Sequence, residues 1–462
     1  MKPVSTALLL IALIAPTAYA VRQTVPIAGH LPGANGTMWT TDLMLFNAQP
    51  QAETVRLRFR PAALADVYRD VVLEGGASVL LSDAVDPALF PGENPESWIG
   101  QLEVIADGSV YVHARVYTRA VEGEGTYGST MPVLDPTSFL TRGILSGLVA
   151  NAQYRTNLTF VNPSIMTVRF FGQLRDPAGS AIGSRFLVSV GPYESVQQSL
   201  VILVAEPLDG AGYSVEWESP DWEGFVMASV IDNASGDPTA IPSTGSGSTS
   251  LMYPIVGRTP GAAGTDWATS LALTADSSTA GVVTLELLDN EEGVKTLVRE
   301  IGPWETILLA DIYEAFGISS GTGSLAVSAT VPVAGVVRLF NTVGTTTYGS
   351  LIPSQEEEGV SGFLHIRGVT ISDEYRFNIA IANREFADAG GLIRLYDGRR
   401  NTIWSEEFFV PARTTVQIAI PSSVAVEAGE LTVMQNQNRL LSAVGSNVDN
   451  RSGDTVILPA KE

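Results

Sequence analysis

Apolar and polar residues alternate in short runs along most of this chain, and Gly, Pro, Asn and Asp break the runs apart. Between residues 41 and 119 the runs TDLMLFNA, ETVRLRFRP, YRDVVLEG, WIGQLEVIA and SVYVHARVYTR follow one another. A period of two with turn residues between the runs predicts β-strands joined by tight turns. The last run places Val110, Val112, Ala114 and Val116 on one face and Tyr111, His113, Arg115, Tyr117 and Arg119 on the other. The valine face belongs to a core.

The pattern recurs. GTMWTTDLML (Gly36–Leu45) returns as GTDWATSLAL (Gly264–Leu273), and GTYGSTMP (Gly125–Pro132) as TTYGSLIP (Thr346–Pro353). A second kind of unit opens with YRTNLTFVN (Tyr154–Asn162) and YRFNIAIAN (Tyr375–Asn383) and ends with DNASGDPTAIP (Asp232–Pro242) and DNRSGDTVILP (Asp449–Pro459). All four units share a hairpin strand, GQLEV (Gly100–Val104), AGYSV (Ala211–Val215), GSLAV (Gly323–Val327) and GELTV (Gly429–Val433), preceded by a segment with room for one helical turn. A period of about 100 residues is too long for a solenoid and suits whole small domains in tandem. The expected fold is all-β: four immunoglobulin-like sandwiches in an A-B-A-B order, with A1 at 21–142, B1 at 143–248, A2 at 249–357 and B2 at 358–462.

Residues 1–20, MKPVSTALLLIALIAPTAYA, carry Lys2, an apolar run and small residues flanking Tyr19, the pattern of a secretory signal peptide cleaved after Ala20. No later segment has the length of a membrane-spanning helix. With no cysteine in the chain, each module must be stable through its core alone, which favours a bacterial source. The formal charge of −22 disfavours nucleic acid and anionic lipid as partners. STGSGSTS (Ser243–Ser250) reads as a flexible joint between the two A-B pairs, and SQEEEG (Ser354–Gly359) as a solvated linker.

At these repeated strings the chain resembles uncharacterised secreted bacterial proteins built of immunoglobulin-like repeats, in which a GT-x-W-x-T-x-L segment opens the module and a GTYG-like turn precedes its end. The likeness runs through Trp39, Thr41, Leu43, Tyr127 and Gly128, and again through Trp267, Thr269, Leu271, Tyr348 and Gly349. The B modules lack the Trp and carry SGD in place of the Tyr turn. The resemblance implies exported sandwich arrays and no catalytic residue.

Candidate chemistry is sparse. His30, His113 and His365 lie in different segments, and there is no thiol, so zinc-type clusters are not expected. GISSG (Gly317–Gly321) spells a nucleophile-elbow pattern at Ser319 but leads into a strand, where an elbow needs a helix. Asp232 and Asp237, and again Asp449 and Asp454, gather oxygens around a tight turn, either as a calcium site or as a hairpin that bonds to its own backbone. Tyr111, His113, Arg115 and Tyr117, with Arg338 and Phe340 in the second copy, form an aromatic and basic stripe that would either take a sugar or acidic ligand or pack on the neighbouring module. Trp39 and Trp267 read as core or interface anchors. The expected function is that of an exported, non-enzymatic interaction or scaffold protein, secreted, periplasmic or at the cell surface, with no cofactor and with a protein or polysaccharide of the cell envelope as partner. Carbohydrate binding or adhesion through the A-module stripe is the alternative, and an accessory or weak hydrolase a second one.

Overall fold

The computed structural model describes residues 21–461 apart from 34–35, 63, 91–95, 120–124, 262–263, 356–358, 360 and 438. The leader pattern at 1–20 and the three glutamates of the SQEEEG linker lie outside the described residues. The rest is a tandem array of β-sandwiches. Module B1 shows the plan, with strands Arg142–Ala150, Tyr154–Val161, Val168–Arg175, Ala181–Val190, Ser195–Ser199, Gly210–Glu218, Phe225–Asp232 and Pro238–Pro242. Counted in that order, they make two antiparallel four-stranded sheets, 4-3-6-1 and 5-2-7-8. Both orders recur in A1, A2 and B2. In A2 the sixth and seventh strands are one bent strand, Gly321–Val343, which passes from one sheet to the other.

The alternation that predicts the strands also builds the cores. In Val168–Arg175 the buried Val168, Phe170 and Leu174 share one core with Val215 and Trp217 of the same sheet and with Leu158, Phe160 and Val226 of the opposite one, while Arg169 is exposed. The expected helical turn stands before the sixth strand in three modules, as Pro87–Leu89, Leu200–Val204 and Ile312–Ala315. Ser319 lies after the last of these and before a strand, the reverse of a nucleophile elbow.

The GT-x-W string is a hairpin that joins the two sheets of an A module along one edge, through Leu31 opposite Trp39 and Thr259 opposite Trp267. Gly36 and Gly264 both take φ +78, the left-handed region where glycine is favoured. The indoles lie against Gly33 and Gly261, where an added Cβ would come within 2.4 Å of Nε1 of Trp39 or Trp267. Both tryptophans are half-buried at this hairpin.

The four modules close into a ring. A1 contacts B1, B1 contacts A2, A2 contacts B2, and B2 returns to A1. Their eighth strands, Thr126–Met131, Pro238–Pro242, Thr346–Ile352 and Thr455–Pro459, meet at the centre, where the rings of Tyr127 and Tyr348 stand 6.2 Å apart. Within each A-B pair, residues of B pack into the core of A, while B keeps a core of its own. Val161, Phe225, Met227 and Ala240 of B1 belong to the apolar cluster of A1, and Ala380, Val444 and Ile457 of B2 to that of A2. The Ser243–Ser250 stretch, expected to be a free joint, is tied down instead: Thr244 pairs with Ile144 of B1, and the Gly247 N–H donates to Asp276 of A2 at 3.0 Å.

The hairpin geometry predicts that Gly33→Ala, which drives a methyl into the Trp39 ring, lowers stability by about 1–3 kcal/mol. Gly36→Ala meets no atom and suffers only its backbone conformation, about 1 kcal/mol. Urea unfolding of the two variants checks the order, and an unchanged midpoint for Gly33→Ala contradicts this account of the string.

Candidate functional site

The SGD and TYG strings, with the tyrosines that open the B units, meet at two joints, B1 to A2 and B2 to A1. The SGD turn folds on itself first. Asp449 Oδ1 accepts from the backbone N–H of Arg451 and Ser452 at 2.8 and 2.9 Å, and Asp232 Oδ1 from those of Ala234 and Ser235 at 2.9 and 3.2 Å. Gly236 and Gly453 take positive φ, as such a turn requires. The second oxygen of each aspartate then reaches the neighbouring module. Asp449 Oδ2 accepts from Thr126 N at 2.8 Å and Asp454 Oδ2 from Gly128 N at 3.0 Å; Asp232 Oδ2 accepts from Thr347 N at 3.1 Å and Asp237 Oδ2 from Gly349 N at 3.0 Å. The TYG turn of an A module is thus read by the SGD turn of a B module, main chain to carboxylate.

The aromatic and basic stripe enters the same joints and packs on the neighbouring module, the second of the two roles its pattern allows. Arg115 is buried, donating to Tyr375 Oη at 3.1 Å, Thr126 Oγ1 at 3.1 Å and Asp454 Oδ2 at 3.2 Å. Tyr117 lies beneath its guanidinium at 4.8 Å, and Tyr111 beneath Arg367 of B2 at 3.8 Å. In the other joint Arg338 donates to Thr239 Oγ1 at 2.9 Å and Thr347 Oγ1 at 3.1 Å, stands 3.6 Å from Asp237, and covers Phe340 at 5.2 Å. Tyr154 bonds to Thr347 as Tyr375 does to Thr126. Among the described residues no three His, Cys, Asp or Glu side chains converge as a metal-ion site. Of the oxygens considered for calcium, both of Asp232, Asp449 and Asp454 and Oδ2 of Asp237 accept from N–H groups, and Asp237 Oδ1 has no hydrogen-bond partner.

The two joints differ around their arginines, for Arg115 bonds to Asp454 while Arg338 stands 3.6 Å from Asp237, whose Oδ1 has no hydrogen-bond partner. Around Arg115 lies a cavity of about 90 Å³, lined by Asp42, Met44, His113, Thr370, Tyr375 and Asn447 among others. Repeat alignment sets Ser270, Ala272, Val336, Val149, Tyr154 and Val230 at these positions in the other joint. There the contact is tight: a Cβ on Gly147 would come within 2.9 Å of the Ala272 methyl and 3.6 Å of Val336. In the cavity joint His113 Nε2 and Arg115 Nε have no hydrogen-bond partner.

Burial sets the electrostatics. His113 is pushed down to about 4, by desolvation and then by Arg115 and Lys461. Asp454 is pushed up to about 7 by burial, against Arg115 and the Gly128 N–H. Asp237 is raised by burial and then by the charge of Asp454. For Arg115, burial opposes the charge, but Tyr375 and Asp454 outweigh it and its pKa is raised.

The stripe was legible from alternation, and the SGD turns from composition. The partnership of the two was not, nor were Tyr154 and Tyr375, although both open a repeated string. His30 and His365 pair within their own modules, with Asp83 at 2.6 Å and Glu430 at 3.0 Å.

No known protein family matches the chain, and no curated protein does. Among solved structures, a crystal structure of a tetra-tandem repeat in the extending region of a large adhesion protein aligns over 94% of this chain and 98% of that one, at 12% identity and a TM-score of 0.11. A score that low describes no common arrangement of the two chains.

Removing a partner from a buried ion pair leaves a charge stranded, so Arg115→Ala is expected to cost about 3–5 kcal/mol in denaturant unfolding. Arg56→Ala, which breaks the exposed pair with Asp70, leaves the midpoint unchanged. Equal effects would contradict the joint's role. The pH dependence carries a second test. Between about pH 4 and 6.5 the unfolded chain binds a proton at residue 113 that the folded chain refuses, so this histidine lowers stability on acidification, by on the order of 3 kcal/mol at pH 4. Asp454 acts oppositely: the folded chain holds its proton up to about pH 7, and that stability is lost as pH rises from about 4 to 7. His113→Gln therefore makes the protein gain stability from pH 7.5 to 5 relative to the wild type, read as unfolding midpoints at both pH values. Parallel midpoints would contradict the assignment.

Proposed function

We propose that this chain is an exported, non-enzymatic scaffold or interaction protein that works as one closed ring rather than as a string of spacers. The observation that carries this reading is that the repeated polar residues, Asp, Arg, Thr and Tyr alike, are spent on joining modules. What the ring offers to others is its outer loops and clefts. Export rests on the leader pattern of residues 1–20, and the acidic charge suits a soluble exported particle.

One cleft supports carbohydrate binding as the second reading, at a different place from the A-module stripe. It opens between A1 and B1 with a volume of about 600 Å³ and is lined by Gln101, Glu103, Phe139, Tyr193, Trp222 and Glu223 among others. Trp222 is 50% exposed there, and Tyr193 is held under Arg60 at 4.0 Å. An aromatic platform beside amide and carboxylate groups is the chemistry that stacks on a sugar ring and bonds to its hydroxyls.

Sedimentation of the purified protein with cell envelopes and a panel of insoluble polysaccharides separates the readings. A scaffold of protein partners sediments with envelopes alone and is indifferent to Trp222→Ala. Saturable attachment to one polysaccharide, competed by soluble sugar and lost in Trp222→Ala, replaces the scaffold reading with carbohydrate recognition.

A further inference from the structure

The ring consists of two equal halves, and the contacts between them come in matched pairs. Asp449 and Asp454 take Thr126 and Gly128 as Asp232 and Asp237 take Thr347 and Gly349. Arg115 meets Asp454 as Arg338 meets Asp237, and Tyr375 meets Thr126 as Tyr154 meets Thr347. Even a main-chain bond is repeated: Ser78 N donates to Gly398 O at 2.9 Å, and Thr306 N to Pro177 O at 2.9 Å. In each A-B half, residues of B pack into the apolar core of A, which holds the half together, and the half presents one A face and one B face. The halves are linked covalently only through residues 243–247, which carry Gly245 and Gly247.

We infer that two copies of this chain exchange half-rings, the A1-B1 half of one docking on the A2-B2 half of the other to build two complete rings bridged by the segment 243–247. Nothing in either joint distinguishes a half of the same chain from a half of another, because every contact above lies between halves and none involves the linker. Such an exchange uses an interface already formed in the monomer and adds no new surface. Closure within one chain is favoured by its high effective concentration, so exchange grows with protein concentration during folding. The joint from B2 to A1 keeps a cavity and an unpartnered His113 Nε2, whereas in the joint from B1 to A2 Val336 stands at the matching place and the unpartnered atom is Asp237 Oδ1. This inference does not depend on what the ring binds.

The chain has no cysteine, so single thiols can report the exchange. A Cβ built on Gly398 lies 3.4 Å from Ser78 Oγ, close enough for a disulfide across the joint from B2 to A1. The full-length S78C and G398C variants, one carrying a small tag, are unfolded, mixed, refolded together at high concentration and run on a non-reducing gel. Half-ring exchange predicts a mixed disulfide in about tenfold or greater excess over same-variant dimers, a two-chain mass in solution, and a yield that rises with concentration. The double variant S78C/G398C, oxidised first as a monomer, then stays monomeric through the same cycle. A mixed disulfide no more abundant than the same-variant ones overturns the inference, as do dimers of the oxidised double variant, which would have to use another face.

Discussion

The structure depends on one interaction, a buried aspartate that divides its two oxygens between its own turn and the main chain of the next module. Asp449 and Asp232 hold the SGD hairpin with one oxygen and a threonine N–H of the TYG turn with the other. A carboxylate taken from water costs several kcal/mol unless its lone pairs are filled, so the turn is stable only when the A module is docked. Each motif is therefore half of a contact. This explains why the chain repeats two different strings, one per module type, and why it repeats both of them twice.

Two kinds of joint follow. Inside each half, residues of B extend the apolar core of A, a contact that tolerates small shifts because dispersion has no direction. Between halves the contact adds to its apolar part a buried polar one that tolerates none: a one-residue slip would leave Asp454 and Asp237 without their N–H partners. The apolar joints supply most of the association, and the polar ones fix which faces meet. Arg115 and Arg338 bring a compensating positive charge to the hub, where the four eighth strands converge.

Much of the fold was legible in the sequence because period-two alternation and turn residues act locally. The four sandwiches, the helical turn before the sixth strand and the valine face of Val110–Arg119 follow from it. The closure of the ring does not, since it joins residues such as Arg115 and Asp454 that no local rule relates. Tyr111, His113, Arg115 and Tyr117 were recognisable as a polar face within a strand, but whether that face meets water, a ligand or another module depends on how modules dock. The Ser243–Ser250 stretch shows the opposite error. Its glycines and serines predict freedom, yet its ends are fixed by Ile144 and Asp276, which belong to the modules on either side. The duplication was read as module architecture, and the polar residues that recur in it, Arg, Tyr, Thr and Asp, serve the joints that the two copies share.

Small-angle X-ray scattering of the dilute chain measures closure most directly. A compact particle of this length has a radius of gyration of about 22 Å, whereas four modules of about 13 Å each, strung in line, give about 40 Å. The ring predicts a value within a few ångströms of the compact one and a pair-distance distribution with a single maximum. A value near the extended one, with a long tail in that distribution, would contradict it.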